Sequence, residues 1–125
     1  MYDGRHLVLI LDGDAAVRAA LQFALQLEGF NVHTHSGGAE LLADPDLSRA
    51  GCIILDDQTP LMEGFQLMSQ LRSRNIRLPA ILLTSHATAG LRARANAAGI
   101  RLVLEKPLLD NTLSISVLTV LNSES

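Results

Sequence analysis

The residues best suited to chemistry stand at the ends of short apolar runs. Leu7–Leu11 leads into Asp12-Gly13-Asp14, Ile53–Leu55 into Asp56-Asp57, Ala80–Leu83 into Thr84-Ser85, and Leu102–Leu104 into Glu105-Lys106-Pro107. Carboxylates crowded together resist joint ionisation unless a cation neutralises them. Magnesium suits such a set, because it takes oxygen ligands in a tight octahedron and uses one or two carboxylates beside phosphate and water. A carboxylate can also attack phosphorus to give an aspartyl phosphate. A hydroxyl and an ammonium would then hold the new phosphoryl oxygens. The set therefore suits metal-assisted phosphoryl transfer to a carboxylate. Asp56 is the best nucleophile, since it ends the central run and its loop continues into Pro60 and Gly64. Each residue also has an ordinary use: Asp12 or Asp14 can cap the helix that follows, and Thr84 can cap the fourth. Joint placement is what favours chemistry. Lys106 adds to it, being the only lysine among ten basic residues.

Those ends matter only if the runs lie side by side. Four of them are continuous rather than alternating, as expected of strands covered on both faces, and a weaker run lies around Phe30–His35. Between them, Val17, Leu21, Ala24 and Leu25 mark one helical stripe, and Phe65, Met68 and Leu71 another. Gly29, Gly99 and the Arg74-Asn75 pair sit where helices should stop. The segment Leu113–Val117 alternates with period two and carries β-branched residues, which favours a strand. Leu109, Leu113, Val117, Val120 and Leu121 also form a helical stripe, and its place after the fifth strand tips the reading to helix. Strands alternating with helices predict an α/β fold with a parallel sheet, right-handed crossovers and helices on both faces. In such folds ligands bind at the C-terminal ends of the strands, at a topological switch point.

Composition bounds the rest. A chain of 125 residues fits one domain, and 48% hydrophobic with 18% charged residues fits a folded one. We expect a single domain over residues 1–125, ordered over about 5–122, with no output domain visible. The formal net charge of -3 argues against direct nucleic-acid binding. Cys52 is the only cysteine, so no internal disulfide can form and a reducing, cytoplasmic setting is expected. Leu7–Leu11 is too short for a signal core or a membrane span.

At this point the chain resembles a known family. Cys52-Ile-Ile-Leu-Asp56-Asp-Gln-Thr-Pro60-Leu-Met-Glu-Gly64 is similar to the signature of response-regulator receiver domains, with proline four and glycine eight residues after the phosphorylated aspartate. Asp12-Gly-Asp14-Ala-Ala-Val-Arg18 resembles the acidic first loop, and Thr84-Ser-His86 and Glu105-Lys106-Pro107 resemble the hydroxyl and lysine motifs. The resemblance spans about Leu7 to Leu121 and looks strongest to the nitrogen-fixation transcriptional regulators. It implies a flavodoxin-like doubly wound (βα)5 fold, with five parallel strands in the order 2-1-3-4-5. It further implies phosphoryl transfer to Asp56 from a histidine kinase or phosphotransfer protein, and a magnesium ion on Asp12, Asp56 and the backbone carbonyl of Gln58. Thr84 and Lys106 would contact the phosphoryl group and move the nearby surface. A homodimer through the fourth helix, fifth strand and fifth helix and a cis Lys106–Pro107 bond also follow from the resemblance. The chain would be a phosphoacceptor with self-catalysed transfer and dephosphorylation rather than an enzyme.

Two positions depart from the family pattern. The acid that touches the metal directly is replaced by Gly13, which should weaken magnesium binding, with Asp14 the one residue that could swing into the gap. Val103 stands where relatives carry a Tyr or Phe, and a β-branched side chain has no ring to rotate. The ordinary reading of Val103 is a buried strand residue. These departures favour an alternative, a phosphorylation-independent pseudo-receiver acting as a protein-interaction module. A flavodoxin-like cofactor binder is disfavoured, because Asp12 and Asp14 would repel a phosphate at the first loop.

Other residues read as ordinary. His33 and His35 share one face of the second strand at metal-compatible spacing, but no third ligand stands nearby in the sequence, so an exposed edge face is expected. His86 reads as a solvent-facing loop residue and Cys52 as a small core residue. Arg92, Arg94 and Arg101 suit a solvated helix face or a partner surface. Leu61 and Met62 lie in the loop after Pro60, as a partner patch or as packing against the neighbouring helix.

Overall fold

The computed structural model of the chain describes residues 7–109 and 111–122, so residues 5, 6 and 110 of the expected core lie outside the described residues. Strands are β1 (Leu7–Leu11), β2 (Asn31–His35), β3 (Cys52–Asp56), β4 (Ala80–Thr84) and β5 (Ile100–Glu105). Helices are α1 (Ala15–Leu27), α2 (Gly38–Leu42), α3 (Leu61–Ser73), α4 (Ala89–Ala97) and α5 (Thr112–Asn122), with a 3-10 turn at Leu47–Arg49. All pairings are parallel and the order is β2-β1-β3-β4-β5, as the resemblance implied.

Alternation along each strand splits the core in two. Leu9, Leu11, Ile53, Leu55 and Leu82 face Leu67, Met68 and Leu71 of α3 and Leu91 and Ala95 of α4. Val8, Ile10, Ile54, Ile81 and Leu83 face Leu25 of α1 and Leu113, Val117, Val120 and Leu121 of α5. The continuous apolar runs thus reflect two buried faces. Burial of that last stripe decides the ambiguous final segment: it is helical. Each fully buried Leu or Ile stabilises by about 2 kcal/mol. A one-residue slip would exchange the two faces of a strand, so the register is held firmly.

The register brings the functional ends level. Leu11 pairs with Leu55, Asp56 with Leu83, and Thr84 with Glu105. Helix stops fall where expected, with positive φ at Gly29 (94°), Asn75 (61°) and Gly99 (91°). The Lys106–Pro107 peptide is cis.

Three local expectations are corrected. α3 already begins at Leu61, so Leu61 and Met62 form its first turn rather than a loop. Thr88, not Thr84, caps α4 by accepting the Leu91 amide at 3.1 Å. Val103 is only half-buried, packed against the α3–α4 side of the core.

Candidate functional site

Asp56 closes β3 and is buried, with a carboxylate that is half used. Its Oδ1 accepts the Gln58 amide and the Lys106 ammonium, each at 2.9 Å. Its Oδ2 is buried and has no hydrogen-bond partner among the described residues. Asp12 follows β1 and repeats the pattern. Its Oδ1 accepts the Asp14 amide at 2.8 Å, while its buried Oδ2 has no partner among the described residues. Burial, reinforced by the charge of Asp56, pushes the Asp12 carboxyl above the ordinary carboxylate range, although the Asp14 amide opposes the shift. Buried acceptors without donors are costly and seldom tolerated without a use.

Thr84 ends β4, buried, and its hydroxyl oxygen accepts the His86 amide at 3.1 Å. The backbone N–H of Lys106 donates to the Thr84 carbonyl at 2.8 Å, which carries the β4–β5 ladder onward and aims the lysine across the strand ends. Its Nζ lies 2.9 Å from both Asp56 Oδ1 and Asp57 Oδ1. Burial would lower the Lys106 pKa, but the two carboxylates outweigh it and hold the ammonium above its usual range. Three carboxyl groups thus face one ammonium in this corner. Such a set can take up positive charge and hold an anionic group at Lys106 and Thr84.

Comparison with known proteins now decides the family. The model for the response regulator receiver domain matches residues 8–118. The chain belongs to that family. It is 38% identical over 106 residues to the C4-dicarboxylate transport transcriptional regulatory protein DctR of Rhodobacter capsulatus, covering 83% of this chain and 54% of that protein. It is 34% identical over 111 residues to the transcriptional regulatory protein FixJ of Azorhizobium caulinodans, covering 88% of this chain and 52% of that protein. The chain therefore spans about half the length of these curated relatives. Among solved structures it superposes on the Vibrio cholerae chemotaxis protein CheY4 with TM-score 0.83 and 28% identity, covering 93% of this chain and 98% of that one. This is a receiver of the two-component response-regulator kind, akin to the nitrogen-fixation regulators, and its family is a phosphoacceptor class rather than a conventional enzyme. The phosphorylation-independent alternative is not favoured. Among the described residues, no helix is long and apolar enough to cross a membrane.

The fold brings Asp12, Asp56, Thr84 and Lys106 of the receiver to one edge of the sheet. Gln58 is there through its backbone: a Cβ built on Gly13 would lie 3.0 Å from the Gln58 carbonyl oxygen. Asp14 is differently employed. It caps α1, its carboxylate accepting the amides of Ala16 at 2.8 Å and Val17 at 3.1 Å. Arg18 reaches back to donate to the Asp12 carbonyl at 2.8 Å, bracing the first loop.

Sequence reasoning did not give Asp57 a role, and the structure does. Besides Lys106, its carboxylate accepts the Ser85 amide at 2.8 Å, and the Thr84 hydroxyl also bonds to it. Burial works against ionisation, but these donors prevail and hold the Asp57 carboxyl below the ordinary range. The only signal was its adjacency to Asp56. Thr59 was missed too: it is buried, and its Oγ1 has no partner among the described residues.

The residues read as ordinary divide. His86 is exposed, and burial pushes the Cys52 thiol up to about 12, which makes it inert. Arg92 donates to the Val103 carbonyl at 3.3 Å and Arg94 lies over the Phe65 ring at 5.8 Å, so both stitch α4 to its neighbours. His33 and His35 are not on a bare exposed face. Each ring bonds to Asp44, at 2.9 and 2.8 Å.

Proposed function

We propose that this receiver accepts a phosphoryl group on Asp56 from the phosphohistidine of a histidine kinase or phosphotransfer protein in the cytoplasm. The observation that carries this reading is the pair of buried carboxylate oxygens on Asp12 and Asp56 that have no donor among the described residues, set beside a lysine that already contacts Asp56. The Asp56 carboxylate attacks phosphorus, the phosphorus–nitrogen bond of the donor breaks, and its electron pair leaves on the imidazole nitrogen. Lys106 stands 2.9 Å from an Asp56 oxygen and stays ionised, so it offsets the charge of the incoming group. Thr84 can turn its hydroxyl proton from Asp57 to the new group while its oxygen goes on accepting the His86 amide.

The same corner fits a magnesium ion. Asp12, Asp56 and the Gln58 carbonyl supply hard oxygen donors, and two of the carboxylate oxygens have no competing hydrogen bond among the described residues. Magnesium would supply charge neutralisation for a transfer that the receiver itself catalyses. Gly13 contributes no carboxylate to that ion, and Asp14 is held by its capping bonds, so the affinity is weak for such a site.

The readout runs through Thr84 and the segment Ser85–Thr88 into α4, since half-buried Val103 has no ring to move. Ile115 and Leu118 of α5 are exposed, which supports a homodimer through α4, β5 and α5. Beryllofluoride with magnesium tests the proposal. The amide resonances of Asp57, Gln58, Ser85 and His86 are expected to shift, and to stay still in Asp56→Asn. A spectrum of the unsubstituted chain that does not respond refutes it.

A further inference from the structure

A second cluster of ionisable side chains starts on β2, the edge strand, outside the group of Asp12, Asp56, Thr84 and Lys106. β2 carries His33 and His35 two residues apart, so both rings rise from one face of an edge strand. The turn after α2 carries Asp44 and Asp46, again two apart. Asp44 is the centre. Its side chain is 3% exposed, and its Oδ2 meets His33 Nδ1 at 2.9 Å and His35 Nε2 at 2.8 Å. Its Oδ1 accepts the Asp46 backbone amide at 2.8 Å, which holds the two residues close together. One ring nitrogen of His33, one oxygen of Asp44 and one of Asp46 all lie within 4.8 Å of one another.

We infer that His33, Asp44 and Asp46 form a second metal site, selective for a borderline divalent transition ion of the zinc class, with His35 fixing Asp44 from behind. Zinc bonds to nitrogen and oxygen of about 2.0–2.2 Å place tetrahedral ligand atoms roughly 3.4 Å apart. Closure from the observed spacing needs only side-chain movement, and the two groups that must move are the freer ones. His33 and Asp46 are 38% and 37% exposed. The Arg49–Asp46 pair at 3.2 Å is an exposed contact and yields readily. On binding, a neutral His33 ring shifts its proton from Nδ1 to Nε2, so the nitrogen lone pair goes to the ion and no proton need leave the ring. His35 then plays the outer role common around metals, a hydrogen-bond donor that orients a ligating carboxylate. Imidazole selects zinc-class ions over magnesium, whereas the oxygen-only corner at Asp56 selects the reverse. The fourth zinc position stays open to water or to a ligand from a partner.

The test is a zinc titration of the 125-residue chain against a chromophoric chelator, with magnesium in large excess to compete for the acidic corner. One zinc ion per chain is expected, with ring resonances of His33 and His35 shifting at the same stoichiometry. His33→Gln and Asp46→Asn, both on the exposed side and safe for folding, should each weaken binding at least about tenfold. His35→Gln should weaken it less, and Asp12→Asn not at all. No zinc uptake at 1:1, or an affinity unchanged in His33→Gln and Asp46→Asn, overturns the inference.

Discussion

Gly13→Asp tests the electrostatic reading of the acidic corner. The substitution puts a Cβ 3.0 Å from the Gln58 carbonyl oxygen, so that oxygen must give by a few tenths of an ångström. A carboxylate on that Cβ would sit about 4 Å from a cation held by Gln58, Asp12 and Asp56. Even at the dielectric of water, a unit charge and a divalent ion at about 4 Å attract by about 2 kcal/mol, or roughly thirtyfold in affinity. Displacing the Gln58 carbonyl offsets part of this, which leaves magnesium binding about tenfold tighter. Without magnesium the added carboxylate meets Asp12 and Asp56 unshielded, and stability should fall by about 1 kcal/mol. The chain has no tryptophan, so binding is read by calorimetry or amide shifts, and stability by thermal melting with and without the ion. A folded Gly13→Asp chain whose magnesium affinity is unchanged or weaker would show that this corner is not where the cation sits.

Further outcomes follow from the same geometry. Lys106→Met leaves Asp56 and Asp57 facing each other without their ammonium, and should cost about 2 kcal/mol, less than a fully buried pair because Lys106 is 24% exposed. The sign with pH is set by the shifts: Asp57 lies low, so its share is lost as pH falls through that lowered value, while Lys106 lies high, so its share is lost as pH rises through that raised value. Melting of the two chains should therefore converge at both extremes and differ most between them. Asp14→Ala should cost about 1 kcal/mol through loss of the α1 cap and leave magnesium affinity unchanged; a weakened affinity would make Asp14 a ligand. Asp57→Ala frees Lys106, Thr84 and the Ser85 amide for the phosphoryl group, so the phosphorylated state should live several-fold longer in a hydrolysis time course. An unchanged lifetime would mean that Asp57 does not compete for those donors.

What could be read in advance depended on periodicity and on strand ends. β1, β3 and β4 were legible because both their faces are buried, which writes five apolar residues in a row or nearly so. Asp12, Asp56, Thr84 and Lys106 were legible as one site because parallel strands in level register place their C-terminal residues side by side. What a side chain does once the strand has ended was not legible. Thr84 looks like a cap in sequence, yet its hydroxyl serves His86 while Thr88 caps the helix. Asp57 differs from its neighbour only in which way it turns, and that direction gives it Lys106 and Ser85. His33 and His35 seemed to lack a third group because Asp44 reaches them only after the chain passes through α2 and doubles back.

The most direct measurement is the site of modification after incubation with acetyl phosphate and magnesium. Intact mass should rise by a single phosphoryl group, peptide mapping should locate it on Asp56, and Asp56→Asn should stay unmodified. A chain that gains no mass while folded, or one whose label maps to Asp12 or Asp57, would contradict the assignment of Asp56 as the acceptor.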